Sequence, residues 1–365
     1  MKFAIIGGGM AGLATAIALQ QKGYCATVYE RAKHYAQAGL GFILLPNGLE
    51  ALQQLGLEQK AQQLGVVPQK FISRLPNGTV KFERQLPNAL VMSRLDCLNM
   101  LAQTTQKNTI EFGHKFNHFE YDTNGKATAA HFDNGKRIEA DLFVATDGSN
   151  STIRSILFPE AKNTPVVVKE LVGIVHCAET ASKYAGTMLK TQSDQTGLSI
   201  GILPCNGEKI IWYLQIDANK FEIQNDATVA QKRRFALDLV GKWADPINHI
   251  LQKTDFDHVH LWQTTDLEPL QTYYKQNTVL LGDAAHTFLT FTSQGVNSAL
   301  EDAVQFAQHI DQNPTNYPQA LQNYTSQRKQ QVDKFTELGR LLVHQFLNPN
   351  DTQQSIPLVI ESTFK

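Results

Sequence analysis

The chain has 365 residues, with 33 Lys+Arg against 34 Asp+Glu for a formal net charge of −1, and it is 42% hydrophobic and 18% charged. It carries no basic excess, so neither nucleic acid nor stable membrane association is expected, and at roughly 150 residues per domain the length allows about 2 to 3 domains whose cores need no disulfide or metal staple. The four cysteines, Cys25, Cys97, Cys177 and Cys205, include no C-x-x-C pair, which points to a reducing, cytoplasmic setting rather than a secreted disulfide framework.

After Met1-Lys2 the chain is uncharged from Phe3 to Gln21. Such a start has two readings: a signal peptide, with Ala14-Thr15-Ala16 mimicking a cleavage site, or a buried strand, turn and helix. Gly7, Gly8, Gly9 and Gly12 favour the second. Glycines at that density weaken a signal helix, whereas a strand-to-helix turn around a phosphate requires them. Phe3-Ala4-Ile5-Ile6 is then a strand, Gly7-x-Gly9-x-x-Gly12 the turn, and Leu13, Ala16, Ile17 and Leu19 mark a helix. Gly7 makes the tight turn, Gly9 admits a pyrophosphate, and Gly12 lets helix and strand pack closely. The helix start, with Met10 and Ala11, offers free N–H groups and a positive dipole end. Cys25-Ala26-Thr27-Val28-Tyr29 is a second strand ending in Glu30, followed by Arg31. Glu30 lies 18 residues past Gly12, where an acid accepts hydrogen bonds from an adenosine ribose. That carboxylate disfavours a 2′-phosphate, and the motif by itself does not separate NAD from FAD.

Residues 70–92 and 166–269 have a different texture, alternating apolar and polar, with turn signals at Pro76-Asn77-Gly78 and Cys205-Asn206-Gly207. Val166–Val168, Leu198–Leu203 and Ile210–Leu214 are expected strands of an antiparallel sheet, and Thr228–Trp243 is an expected amphipathic helix with Ala236, Leu239 and Val240 on one face. Between these stretches, the strand at Ala140–Ala145 runs into Asp147-Gly148-Ser149-Asn150-Ser151, with Arg154 following. Later, Asn277–Leu281 is a strand ended by Gly282-Asp283-Ala284-Ala285-His286, and Gln294-Gly295-Val296-Asn297 opens another helix. Tyr324, Arg328, Val332, Phe335, Leu338 and Leu342 suit a closing helix. No stretch reaches the ~18 consecutive apolar residues of a membrane span.

Taken together, these motifs resemble the FAD-dependent aromatic hydroxylases, single-component flavoprotein monooxygenases of the para-hydroxybenzoate hydroxylase kind. Gly7–Gly12 with Glu30 matches the FAD fingerprint. Gly39-Leu40-Gly41 and Leu45-Pro46-Asn47-Gly48 match the glycine-rich stretch after the second strand, and Ser93-Arg94-Leu95-Asp96 the segment with a flavin-contacting arginine. Asp147-Gly148 matches the motif tied to FAD and NAD(P)H, and Gly282-Asp283 the motif whose aspartate holds the ribityl chain. The resemblance implies a Rossmann-like α/β FAD-binding domain with an inserted, mostly antiparallel substrate domain and a C-terminal helix. The expected boundaries are 1–69, 93–165 and 270–347 for the first, 70–92 and 166–269 for the second, and a tail at 348–365.

It further implies that FAD is the cofactor, with NADH or NADPH as transient reductant and O2 as co-substrate. The expected reaction is hydroxylation of an aromatic or polyketide-like small molecule through a C4a-hydroperoxyflavin. The amides near Gly295, Val296 and Asn297 are expected to stabilise negative charge on reduced flavin. One position departs from the pattern: the family's proline four residues after the Gly-Asp motif's histidine is Thr290 here. Thr290 therefore keeps open a flavin oxidoreductase without oxygen insertion, while Asp147-Gly148 argues against a non-enzymatic FAD-binding escort.

No substrate anchor stands out. Arg74, Arg84 and Lys209 are candidates for an acidic substrate, and Trp212 and Tyr213 suit a core better than a ligand platform. His176 and Thr290 are the candidate catalytic residues, His176 because its ordinary pKa suits a base toward a phenol. His286 receives no chemical role. His258 and His260 lack a third ligand, so no metal is expected.

Overall fold

The computed structural model describes residues 1–35, 41–86, 88–205 and 207–351. The expected contributions of Gly39, Leu40 and Asn206 lie outside them. The chain begins with β1 (Lys2–Ile6), α1 (Met10–Gln21) and β2 (Cys25–Glu30), then β3 (Gly41–Leu44), α2 (Pro46–Gln54) and α3 (Glu58–Leu64). Next come β4 (Lys70–Arg74), β5 (Val80–Gln85), β6 (Leu90–Ser93), α4 (Arg94–Thr104), β7 (Ile110–Phe112), β8 (Phe116–Tyr121), β9 (Ala127–Phe132), β10 (Arg137–Glu139), β11 (Leu142–Ala145) and α5 (Thr152–Leu157). They are followed by β12 (Val168–His176), α6 (Ala178–Lys183), β13 (Thr187–Gln192), β14 (Leu198–Cys205), β15 (Lys209–Asp217), α7 (Val229–Val240), α8 (Ile247–Lys253) and β16 (His260–Thr264). The chain closes with β17 (Tyr274–Lys275), β18 (Thr278–Leu280), α9 (Gln294–Gln312) and α10 (Tyr317–Leu347).

The first sheet has the order β17-β18-β11-β1-β2-β7, parallel except for the β17 edge. Its strands read as continuous apolar runs because both faces are covered. Helix α1 is buried on nearly every side, between this sheet and α9 and α4. The Phe3-to-Gln21 run is therefore a core strand and helix, and an uncharged segment is what a helix without a solvent face needs.

The second sheet has the order β16-β12-β15-β14-β13-β4-β5. All its neighbours are antiparallel except β13 and β4. One face packs on α7 and α8 through Leu171, Ile200, Trp212, Leu214, Ile250 and Leu251. Its other face carries Ile211, Leu203 and Tyr213 against Ile43 and Val91 of the β3–β6 pair and Leu45 just beyond β3. The 70–92 stretch thus divides: β4 and β5 join the large sheet, and β6 turns back to pair with β3. The strand expected at Val166 begins at Val168 and runs on to His176. A small β8–β9–β10 sheet, which the sequence reading did not anticipate, precedes β11. Among the described residues no helix is long and apolar enough to cross a membrane.

Candidate functional site

The parallel order of the first sheet brings the glycine-acid motifs together. Neighbouring strands β2, β1, β11 and β18 end in Glu30, Gly7, the Thr146-Asp147 turn and Gly282-Asp283, so four segments distant in sequence share one carboxyl edge. Ligands of doubly wound sheets bind at such edges.

Gly7 adopts φ +113°, and a Cβ there would sit 2.3 Å from the Thr146 carbonyl oxygen. A Cβ on Gly12 would sit 2.0 Å from the Gly7 carbonyl oxygen. Both glycines are therefore required by backbone against backbone. Gly9 is different: a Cβ there would meet nothing within 4 Å. It is the N-cap of α1, no side chain caps that helix, and the helix start opens onto free space. Glu30 is half-buried, with one carboxylate oxygen accepting from Gly8 N–H at 2.6 Å and the other from Ala32 N–H at 2.8 Å. It thus shapes the glycine turn and still has acceptor lone pairs for a ligand. Tyr35 closes the turn by donating its hydroxyl to the Gly8 carbonyl at 2.9 Å. Arg31 points to solvent.

Asp147 spends its carboxylate on its own loop, accepting from the Ser151 hydroxyl at 2.5 Å and from Ile153 N–H at 3.2 Å. Burial raises its carboxyl pKa against the pull of these bonds. Gly148, at φ +87°, makes the turn beside it. Arg154 is buried and donates to the carbonyls of Asp283 and Ala284 at 3.1 and 3.0 Å, joining the Asp147 and Asp283 turns.

Gly282 has φ +58°, and a Cβ there would press on Ala11 at 2.9 Å, so the start of α1 packs directly on this turn. Asp283 is open to solvent yet ringed by protein, which raises its carboxyl pKa; His286, Arg94 and Arg154 pull the other way. Arg94, exposed at the first position of α4, is thereby electrostatically coupled to Asp283. Asp96 is occupied with Ser93, whose hydroxyl caps the helix and lies 2.6 Å from the Asp96 carboxylate.

A second uncapped helix start faces this turn. Ser293, left-handed at φ 54°, precedes α9 without a side-chain cap, and a Cβ on Gly295 would find only the Asp283 carboxylate, at 3.9 Å. Val296 is half-buried beside it. The Asn297 side chain has a structural task of its own. Its amide accepts from Leu45 N–H at 2.9 Å and donates to the Ile43 and Ser293 carbonyls, so it fastens the β3–α2 turn to α9. Gly48 is small for the same reason: a Cβ there would lie 2.0 Å from the Asn297 oxygen. Gly41 lets β3 approach Ile211 of the second sheet, where a Cβ would be 2.1 Å from its δ-methyl.

Beneath the Gly282 turn lies a buried network that the sequence reading did not identify. Asp302 accepts from Gly282 N–H, His286 Nε2 and Arg328 Nε, each at 2.7 Å. Burial alone would raise the Asp302 carboxyl, but the His286 and Arg328 charges and the hydrogen bonds outweigh it and hold it well below the usual range. His286 is thus a strut of the Gly-Asp turn.

The other candidates separate. His176 is exposed at the far end of β12, opposite Glu208, and does not reach the cleft. Arg74 is buried, and its donors go to the Thr191 hydroxyl and the Ala244 and Asp245 carbonyls, so it ties a loop to β4. Arg84 lies over the Phe82 ring, and Lys209 sits in the β14–β15 hairpin. Trp212 is fully buried against Phe256. His258 pairs with Asp255, and no group of three metal-ligating side chains occurs among the described residues.

Thr290 faces a buried carboxyl of the second sheet. It lies beside Glu170, a carboxyl on β12 only 5% exposed, whose cross-strand neighbour on β15 is Gln215. The sequence offered no signal for Glu170, because its partners are 45 and 120 residues away.

An FAD fits this cleft on several counts. The α1 start is uncapped and open, Asp283 and Gly295 face one space, and the buried Asn47 Oδ1 and Gln294 Nε2 beside the α9 start have no protein partner. Comparison with known proteins agrees. The family model described as FAD binding domain matches residues 1–338. Monooxygenase 1 of Arabidopsis thaliana is 27% identical over 90% of this chain and 86% of its own length. The FAD-dependent urate hydroxylase of Mycolicibacterium vanbaalenii is 25% identical over 91% of this chain and 85% of its own length. Klebsiella pneumoniae HpxO, solved with FAD and uric acid, superposes with a TM-score of 0.86 at 22% identity, over 96% of this chain and 90% of that one, which shows a shared fold. The chain therefore belongs to the FAD-binding-domain family and is an FAD-dependent oxidoreductase of the aromatic hydroxylase group.

Proposed function

We propose that the protein hydroxylates an aromatic or polyketide-like small molecule, using NADH or NADPH as reductant and O2 as oxygen source. The carrying observation is the junction at residues 282–297. On one side the uncapped α9 start meets Asp283, and on the other Thr290 meets Glu170 of the second sheet. A ring held between the sheet and this loop lies against the flavin side of the cleft, as interdomain pockets commonly do. Relatives named as monooxygenase and urate hydroxylase support the same reading.

When bound, FAD supplies electron transfer from the nicotinamide to O2 and delivery of oxygen to the ring. The chain's own residues bind, orient and shield. The α1 amides suit the pyrophosphate, Glu30 the ribose, and Asp283 with Arg94 the ribityl side. The α9 amides at Gly295 and Val296 favour negative charge placed beside them. The apolar contact of Ile43, Leu45 and Val91 with Leu203 and Ile211 keeps water from the seam between the sheets.

The test is anaerobic reduction of the yellow protein by NADH or NADPH in the presence of aromatic candidates, followed by admission of isotopically labelled O2. A hydroxylated product carrying the label is expected. Reduction without labelled product from any ring would instead assign an oxidoreductase without oxygen insertion.

A further inference from the structure

The face of the second sheet turned toward the 288–293 loop carries a polar row inside an otherwise apolar surface. Glu170, Gln215 and Ser199 sit side by side on β12, β15 and β14, with exposures of 5%, 3% and 0%. Lys190, one strand further, reaches back so that its ammonium lies 3.4 Å from Gln215 Oε1. Ser199 donates to the same oxygen at 3.1 Å. With Oε1 taken by two donors, the Gln215 amide nitrogen is the group that faces Glu170, so the amide orientation is fixed by its neighbours. Thr290 completes the row from the loop side.

A carboxyl and an ammonium group thus occupy a mostly buried strip on either side of a neutral amide. Such an arrangement is costly unless further hydrogen bonds complete it. Glu170 has acceptor capacity beyond Gln215 and Thr290, since a carboxylate offers about four lone-pair sites. Lys190 uses one of its three donors on Gln215, and its ammonium lies 5.5 Å above the Phe291 ring and 5.9 Å above that of Phe346. Tyr213 covers Gly201, where a Cβ would be 2.0 Å from its ring, in the cross-strand row next to that of Gln215 and Ser199. Lys190, Tyr213 and Phe291 keep part of their surface open, and Thr290 is exposed, so the strip is accessible from the loop side.

We propose that this row is the substrate-recognition element. Glu170, set beside Gln215 by the strand register with Thr290 next to it, accepts a hydrogen bond from an N–H or O–H of a planar ring, and Lys190 donates to an oxygen of the same ring. The row selects hydroxylated or lactam-type N-heteroaromatics over rings held by a carboxylate alone. The proposal rests on the hydroxylase reading. It also accounts for Thr290: a proline there has no hydroxyl to offer Glu170.

The experiment titrates holoprotein with 6-hydroxynicotinate, its N-methyl lactam, nicotinate and urate, following the visible spectrum of the bound flavin. This readout needs neither NAD(P)H nor O2, so a failure of oxygen insertion leaves it intact. Wild type is expected to bind 6-hydroxynicotinate or urate at least tenfold more tightly than the N-methyl lactam and nicotinate. Glu170→Gln should remove that preference, Lys190→Met should weaken both lactams, and flavin content should stay at wild-type level. Thr290→Val, an exposed and conservative change, should weaken the lactams about threefold, with Thr290→Ser restoring them. The proposal is overturned if neither lactam binds, if nicotinate binds as well as they do, or if folded Glu170→Gln keeps the wild-type preference. Should Glu170→Gln fail to fold, unchanged lactam binding by Thr290→Val overturns it instead.

Discussion

Glu30 shows how one side chain serves both fold and ligand. Its two carboxylate oxygens already hold Gly8 N–H and Ala32 N–H, so the turn is shaped before any cofactor arrives. Glu30→Ala removes both that support and the ribose acceptor, and FAD affinity should fall by about 1–3 kcal/mol, read by titrating apoprotein with FAD. Unchanged affinity would remove Glu30 from the site. Glu170 illustrates the opposite balance. Burial pushes its carboxyl up to about 7 from 4.5, against the bonds from Gln215 and Thr290 and the Lys190 charge. Burial likewise pulls the Lys190 ammonium down to about 8, against Glu170, and raises the Tyr213 phenol beside them. A raised folded pKa means that the folded state prefers the protonated acid. The contribution of Glu170 is therefore most favourable below about pH 4.5 and is lost as the pH climbs through 7. Stability of Glu170→Gln measured from pH 5 to pH 8 should decline less than that of wild type. Parallel curves would show that the carboxyl titrates normally.

At the scale of elements, α9 and α10 are joined through charge. Asp302 on α9 receives Gly282 N–H, His286 and Arg328 in one fully buried cluster, and Arg328 on α10 is itself fully buried. Removing one partner leaves the other charge unpaired in the core, which costs about 3–5 kcal/mol, whereas replacing both with apolar groups is far milder. Asp302→Leu and Arg328→Met should each be strongly destabilising in urea unfolding, and the double substitution should recover much of the loss. Simple additivity would mean that the two residues are not coupled. This network also marks the limit of legibility in the sequence. Gly7, Gly12 and Gly282 were readable because each answers a local backbone demand: a positive φ, or a carbonyl 2.0 to 2.3 Å from any Cβ. The strand-end positions of Glu30, Asp147 and Asp283 followed from periodicity. Asp302, Arg328, Glu170 and Lys190 look like ordinary charges on helices and strands, and only tertiary pairing buries them. The fastening role of the Asn297 side chain was not legible, because a side chain's partners across 252 residues leave no trace in its immediate neighbours.

For the molecule as a whole, the first sheet is assembled from both ends of the chain. β1 and β2 come from its first thirty residues, and β18 and α9 from beyond residue 277. A ligand touching Gly9, Asp283 and Gly295 together therefore bridges segments whose only covalent link runs through the second sheet. The second sheet has its own core, built on Trp212, Leu214, Ile250 and their neighbours. FAD binding should consequently stabilise the molecule unevenly. A ligand bound only to the folded state adds about 2.7 kcal/mol when its concentration is 100 times Kd, and the amides that gain protection are those whose local opening breaks the cleft. Hydrogen exchange of apo- and holoprotein should show FAD-dependent slowing in segments 7–12 and 282–297, with β14 and β15 nearly unchanged. Lys190→Met should leave that pattern intact, since its contacts lie on the second sheet and the loop aromatics. Equal slowing in β14 and β15 would mean that the two sheets open as one cooperative unit, and the cofactor would then report on the whole molecule rather than on the cleft it closes.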